Sequence, residues 1–349
     1  MSGLYSMKDR VYEKLSTRPE PSDYSGKIPW IVQQQIAATN GIHFLNAIGA
    51  LKEYPIPEIP IDQAGPDNLL LDIGCGWGRW LVAASRKNYI PVGIDLRLEF
   101  CETARKVAQD NGGNAYTVVA DLQQLPFRKN LFDVVWSFSV IQHTHYNRLT
   151  SCLEQIEHIL KPSGYCFLEF PNKNGLRNRF GPAKKPNNMD FDSWDVRYYS
   201  PAEYHSIFST VFDNFQYYNH SALGIGILPG DLKYANGFRN KTMIGLSRML
   251  SRLVEAIKPL KAISDSIYIK SIKHSRDNDS ADQNMEFLKA HRMNPLNNLN
   301  TVSLLRCPRS GAALQLSDDK SELISLEAGL AYPVHNQIPI LVSSEARTL

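Results

Sequence analysis

The chain has 349 residues, enough for two or three domains and for a full core in the largest. Hydrophobic residues make up 43% and charged residues 21%, which excludes wholesale disorder and a bundle of membrane spans. A net charge of +3 is too small for a dedicated nucleic-acid binder, though an anionic substrate or a local basic face stays open. Cys75, Cys101, Cys152, Cys166 and Cys307 are an odd set without a Cys-x-x-Cys pair, so the expectation is reduced thiols, no disulfide framework and no metal site. The N-terminus lacks the apolar run of a signal peptide, and no stretch nears the roughly 20 apolar residues of a membrane span. A cytoplasmic protein is expected.

Residues 1–62 form a helical lead interrupted near Asn40-Gly41, in which Tyr12, Tyr24 and Trp30 either cover a pocket or cap a sheet. Pro55, Pro57, Pro60 and Pro66 mark a linker. From Asn68, short apolar runs (LLLDI, IPVGID, YTVVA, FDVVWSF, YCFLEF) alternate with helical patterns, which predicts βαβ units and a parallel sheet. Residues 172–200 break this pattern with a polar and aromatic insertion too long for an ordinary connection, and are placed over the site. A helix at 202–211, a strand at 215–219 and a late strand at 266–272 complete the sheet. Between them Met243, Leu246, Leu250, Leu253, Ile257 and Leu260 recur at helical spacing, as a core or homodimer face or as a membrane-surface helix. Residues 274–300 read as a linker and 301–349 as a small second domain.

The strongest motif is LLLDIGCGWGRW, a strand ending near Asp72 that turns through Gly74, Gly76 and Gly78 into a helix. Glycines there let the backbone turn tightly and approach a ligand closely. A dinucleotide would use the helix N-terminus for its pyrophosphate, whereas S-adenosylmethionine has no phosphate and offers an α-amino group to an upstream acid. Asp72 favours the second ligand. Asp95 lies 19 residues after Gly76, where a carboxylate can take ribose hydroxyls of either one. Asp121, after YTVVA, is placed for the exocyclic amine of adenine.

Taken in order, these motifs resemble class I S-adenosylmethionine-dependent methyltransferases over residues 63–273. The resemblance implies a Rossmann-like α/β fold, with a seven-stranded sheet whose last strand is antiparallel, and S-adenosyl-L-methionine as cofactor. It implies cofactor contacts at Asp72, Gly74, Cys75, Gly76, Gly78, Asp95, Leu96, Asp121, Leu122 and Ser137. His143, shortly after the fourth strand, is the candidate general base, with His145 as a second reading and packing against the cofactor as a third. Glu169, Arg197, Tyr198 and Tyr199 are the candidate substrate contacts. Residues 301–349 resemble the small bacterial YcaR-like family, related to the zinc-binding subunit that activates certain tRNA and release-factor methyltransferases. Cys307 stands alone there, with Ser310 where a second thiolate would fall, so no zinc is expected. The segment after the fourth strand reads Ser137-Phe138-Ser139-Val140 and not the Asn-Pro-Pro-Tyr type used on planar amides and bases. The expected partner is therefore a small-molecule acceptor from a biosynthetic pathway, and neither nucleic acid nor a membrane. The alternatives are an RNA or protein acceptor, or a catalytically silent scaffold.

Overall fold

In the computed structural model, which describes residues 20, 22–40, 44, 47–65, 67–180, 196–222, 228–234, 238–257, 263–274 and 302–349, the run Leu69–Ile73 is strand β1 and is buried throughout. Strands β2 (Ile90–Asp95), β3 (Tyr116–Ala120), β4 (Phe132–Ser137) and β5 (Leu160–Pro171) follow. Their continuous apolar character suits central parallel strands covered on both faces. β1 pairs in parallel with β2 and β4, β2 with β3, and β4 with β5. Strand β6 (Phe215–Ser221) and strand β7 (Ser266–Ile272) close the edge, β7 antiparallel to both β5 and β6. The order β3-β2-β1-β4-β5-β7-β6 is the seven-stranded sheet expected, with its last strand reversed.

Helix α1 (Trp30–Asn40) precedes the sheet and ends at the expected break. Tyr12 of the lead lies outside the described residues, while Trp30 is buried and meets Tyr24 edge-on. Helices α2 (Arg79–Ser85), α3 (Leu98–Asp110) and α4 (Tyr146–Ile159) are the βαβ crossovers. α3 buries Phe100, Cys101, Ala104, Val107 and Ala108, the three-to-four spacing of one helical stripe. Short helix α5 (Leu176–Phe180) and helix α6 (Pro201–Phe208) follow β5. α6 starts sharply because Ser200 and Glu203 form a capping box with Pro201 in the first turn.

Helix α7 (Phe238–Ala256) narrows one expectation. Its leucine stripe is not core, which leaves the homodimer-face and membrane-surface readings: Leu246, Leu253 and Ile257 are exposed, with Met249 beside them, and Leu250 is half-buried. Ile244, Ser247 and Val254 face inward instead, because β6 offers polar anchors: Asn219 Nδ2 donates to the Ser251 carbonyl at 3.0 Å and the Ala222 N–H to Ser251 Oγ at 3.0 Å. Leu260 lies outside the described residues, as does the side chain of Met243.

The C-terminal residues continue the same sheet. Strands β8 (Gln315–Leu316), β9 (Glu322–Ser325), β10 (Leu330–His335), β11 (Ile338–Leu341) and β12 (Arg347–Thr348) form a β-rich unit. Its β11 adds in parallel to the free edge of β3, pairing Ile340 with Val119 and Leu341 with Ala120. Leu304, Leu305, Leu323, Leu330, Tyr332 and Leu341 belong to the apolar core that also holds Ile94, Val118 and Phe127. Polar bonds tie the rim, among them Arg105 Nη1 to the Asn336 carbonyl at 2.7 Å and Asn336 Nδ2 to Glu102 at 2.8 Å. Covering the edge of β3 removes a row of unpaired backbone groups that would otherwise template aggregation.

Candidate functional site

The carboxyl ends of β1, β2, β3 and β4 meet at the glycine-rich turn, where open α/β sheets receive ligands. Gly74, Gly76 and Gly78 all have positive φ, at 74°, 50° and 92°. Two of them are demanded by packing as well. A Cβ at Gly74 would lie 2.3 Å from Val140 Cγ2, and one at Gly78 would lie 2.7 Å from Ala104 Cα in α3. Gly76 differs, since nothing lies within 4 Å of its Cβ position, so the backbone there faces open space. The Gly74 and Cys75 N–H groups both donate to the Ile94 carbonyl, which ties the turn to β2.

Asp72 sits one residue inside the end of β1. It is completely buried and neither carboxylate oxygen has a hydrogen-bond partner. Burial pushes its pKa up to about 8, against the favourable field of Arg79 and with the help of Asp95. At the end of β2, Asp95 accepts from the Gly76 N–H at 3.0 Å and from the Arg97 N–H at 3.1 Å. Burial lifts it to about 6 even so. Leu96 beside it is 40% exposed, an apolar side chain without a cover among the described residues. Asp121 caps a 3-10 turn at Leu122–Gln124 by accepting from the Gln123 N–H at 2.9 Å. Ser137 is buried and donates to the Ile73 carbonyl at 3.2 Å, tying β4 to β1.

The turn after β4 is braced from two sides. Ser139 holds φ at 60°, an uncommon conformation for a residue with a Cβ. Glu169, wholly buried, accepts from the Ser139 N–H and Oγ, each at 2.9 Å, and from Ser266 Oγ. Val140 then rests on Gly74, and a 3-10 turn at Ile141–His143 presents a half-buried His143. Arg197, itself buried, donates its N–H to the Gln142 carbonyl at 2.9 Å and Nη1 to the His143 carbonyl. Glu169 and Arg197 are thus seated beneath the turn that carries His143. Tyr199 is packed in the core against Tyr146 and Tyr204, and Tyr198 is half-buried. His145 caps α4, its Nδ1 accepting from the Asn147 N–H at 3.3 Å. Within the 172–200 insertion, residues 181–195, including Lys184, Lys185 and Trp194, lie outside the described residues.

Two site residues escape a reading of the sequence. His220 occupies a bulge in β6, between the paired residues Asn219 and Ser221. Its ring lies 5.1 Å from Phe138 and 4.8 Å from Tyr268 between centroids, and Nε2 is buried without a partner. Burial, followed by the nearby Arg79, holds its pKa down to about 3, so the imidazole is neutral. Arg79, the first residue of α2, stands 5.1 Å from the Phe138 ring centroid and 5.3 Å from that of Trp80. The lead joins the site through Asn40, whose Oδ1 accepts from Trp77 Nε1 at 3.0 Å, while Tyr54 stacks on the same indole. No sequence signal marks Arg79 or His220; only the bulge and the sheet order bring them together.

A sheet of this order, with a glycine turn after β1 and acids at the ends of its first three strands, defines a class I S-adenosylmethionine-dependent methyltransferase. A family described as methyltransferase domain matches residues 70–164, and one described as Trm112p-like protein matches residues 298–336. The chain is 29% identical over 169 residues to the uncharacterized methyltransferase YodH of Bacillus subtilis, covering 48% of this chain and 67% of that protein. It is 53% identical over 51 residues to a UPF0434 protein of Ectopseudomonas mendocina, covering 15% of this chain and 84% of that one. Solved structures give weaker likenesses. The YcgJ protein of Bacillus subtilis shares 20% identity at a TM-score of 0.40, over 61% of this chain and 95% of that one. A complex of the Haloferax volcanii Trm112 methyltransferase activator with a putative methyltransferase shares 19% at 0.40, over 63% and 87%. Residues 70–164 therefore carry a class I methyltransferase domain, and the C-terminal segment belongs to the Trm112p-like UPF0434 family.

The C-terminal segment holds its one cysteine by hydrogen bonding. Cys307 Sγ lies 3.3 Å from the Tyr332 hydroxyl. Burial acts to raise its thiol pKa, but bonds from Ser310, Ser325 and Tyr332 outweigh it and bring the value down to about 7.

Proposed function

We propose that this chain binds S-adenosylmethionine across the carboxyl ends of β1 to β4 and methylates a small-molecule acceptor lying against Phe138, Tyr268 and His220. Asp72 carries the cofactor reading. A buried carboxylate with no partner is costly unless a cation joins it, and an α-ammonium group supplies one. The remaining residues fit the rest of that molecule. Gly74, Cys75, Gly76 and Gly78 leave backbone open to close approach, Asp95 keeps lone pairs for ribose hydroxyls, and Leu96 and Leu122 flank an adenine that Asp121 would meet. Ser137 holds the floor between β1 and β4.

When bound, S-adenosylmethionine supplies an electrophilic methyl group on a sulfonium. The protein's share of the work is then alignment of the acceptor and exclusion of water. Phe138 and Tyr268, the rings nearest His220, support a small, ring-bearing or apolar acceptor, because the groups next to that imidazole are apolar. His220, neutral at physiological pH, is suited to accept a hydrogen bond from the acceptor at Nε2. His143 is assigned as the base for an acceptor that carries a proton, with Glu169 and Arg197 setting its turn. A second reading, an RNA or protein acceptor, is favoured by the Trm112p-like segment standing on the β3 edge beside the Asp121 side of the site.

The test is methyl transfer from labelled S-adenosylmethionine into fractionated cell extract. Label in the low-mass fraction supports the small-molecule reading, whereas incorporation abolished by nuclease or protease supports the second. His143→Ala lowers turnover about 100-fold while cofactor affinity stays within a few fold. Equal losses in both would make His143 a cofactor-pocket residue. Thermal stabilisation by NAD and not by S-adenosylmethionine or its demethylated product would refute the cofactor assignment.

A further inference from the structure

The outward face of α7 has no partner among the described residues, and its chemistry is sorted into two strips. Leu246, Met249 and Leu253, with Ile257 one residue past the helix end, follow spacings of three, four and four, and they are 43%, 61%, 49% and 43% exposed. Lys241, Arg248 and Arg252, at spacings of seven and four, form a second row beside the first. None of these three cations makes an ion pair among the described residues, although charged surface side chains commonly find one. Helix propensity does not ask for four large apolar groups in water, and the inward face is already satisfied by Ile244, Ser247, Val254 and the Ser251 bonds to β6.

A helix with this division suits a lipid–water boundary. Large apolar side chains enter the acyl margin while arginine and lysine meet anionic headgroups. The helix cannot cross: no helix among the described residues is long and apolar enough to span a membrane. A second copy of the chain would bring Lys241, Arg248 and Arg252 against the same three cations in a symmetric contact, and the single acid on that strip, exposed Glu255, leaves a net repulsion.

We infer that α7 docks the protein on an anionic lipid surface, with Leu246, Met249, Leu253 and Ile257 inserted and Lys241, Arg248 and Arg252 on the headgroups. Of the readings the sequence left open for this helix, the inference takes the membrane-surface one. The seat of α7 on β6 puts that surface beside the end of β6 that carries His220 and Ser221. The docking stands whatever the methyl acceptor is.

The experiment is co-sedimentation of the full chain with vesicles of phosphatidylcholine alone or with about 30% phosphatidylglycerol, in low and high salt. Binding is expected on the anionic vesicles, weakened at high salt and weak on the neutral ones. Arg248→Gln with Arg252→Gln lowers the partition coefficient about thirtyfold. Met249→Ser with Leu253→Ser lowers it by about tenfold or more, since roughly half of each side chain is still to be buried. Unchanged thermal unfolding shows that each variant folds. The inference is overturned if the full chain stays in the supernatant with anionic vesicles. It is equally overturned if both double variants bind as the parent does, or if Met249→Ser with Leu253→Ser only converts a dimer to a monomer without any vesicle binding to lose.

Discussion

Replacing Asp72 by asparagine sets the stability of the free protein against its affinity for the cofactor. The buried carboxyl has its pKa raised from 3.8 to about 8, chiefly by desolvation. Between those two values the native state holds a proton that the unfolded chain has released, so this group lowers stability progressively as pH rises from about 4 to 8, and the loss levels off above. At pH 7 the gap of about three pH units, at 1.36 kcal/mol each, gives a ceiling of about 4 kcal/mol. Local relaxation around Arg79 reduces that figure, so Asp72→Asn should stabilise the free protein by about 1 to 4 kcal/mol at pH 7. It should do so by much less at pH 5. Denaturant unfolding across this pH range measures the difference directly. Isothermal titration of S-adenosylmethionine should show the opposite sign: a charge-assisted contact worth about 1.5 to 3 kcal/mol is lost, weakening binding by about tenfold to a hundredfold. For the parent protein below pH 8, cofactor binding should release close to one proton, read from the heat in buffers of different ionisation enthalpy. A stability difference that is flat with pH, or an Asp72→Asn variant that binds as tightly as the parent, would refute this account of the site.

Two further outcomes follow from the architecture. Glu169→Gln places an amide where three donors now converge on a carboxylate, so it should cost about 2 to 3 kcal/mol of stability and loosen the Ser139 turn. Turnover should then fall more than cofactor affinity does, and equal falls in the two would show that Glu169 acts only through the fold. A chain ending at residue 274 uncovers the edge of β3 at Val119 and Ala120 and the apolar surface under Leu304, Leu305 and Leu341, so it should aggregate. Adding residues 302–349 in trans should restore its solubility, and a monodisperse truncated chain of unchanged melting temperature would contradict this.

Much of the molecule was legible in its amino-acid order because the signals are local. A parallel strand buried on both faces must be a continuous apolar run, and β1 to β5 read that way. The glycine turn is legible for the same reason: Gly74 and Gly78 have no room for a Cβ, and both need positive φ. Asp72, Asp95 and Asp121 could be located because each lies within a residue of the end of such a strand. Tertiary structure decided the rest, where one residue's role depends on partners far along the chain. The periodicity of α7 correctly marked a helix but could not say which face seats on β6, since that choice depends on the serine bonds to Asn219 and Ala222. Glu169 lies 30 residues from Ser139 and 97 from Ser266, and only the sheet brings the three together. His220 reached the site through a bulge, which composition does not announce. The C-terminal segment was recognisable as a β-rich unit short of core, but its dock on β3 depends on the edge that β3 presents once it has paired with β2.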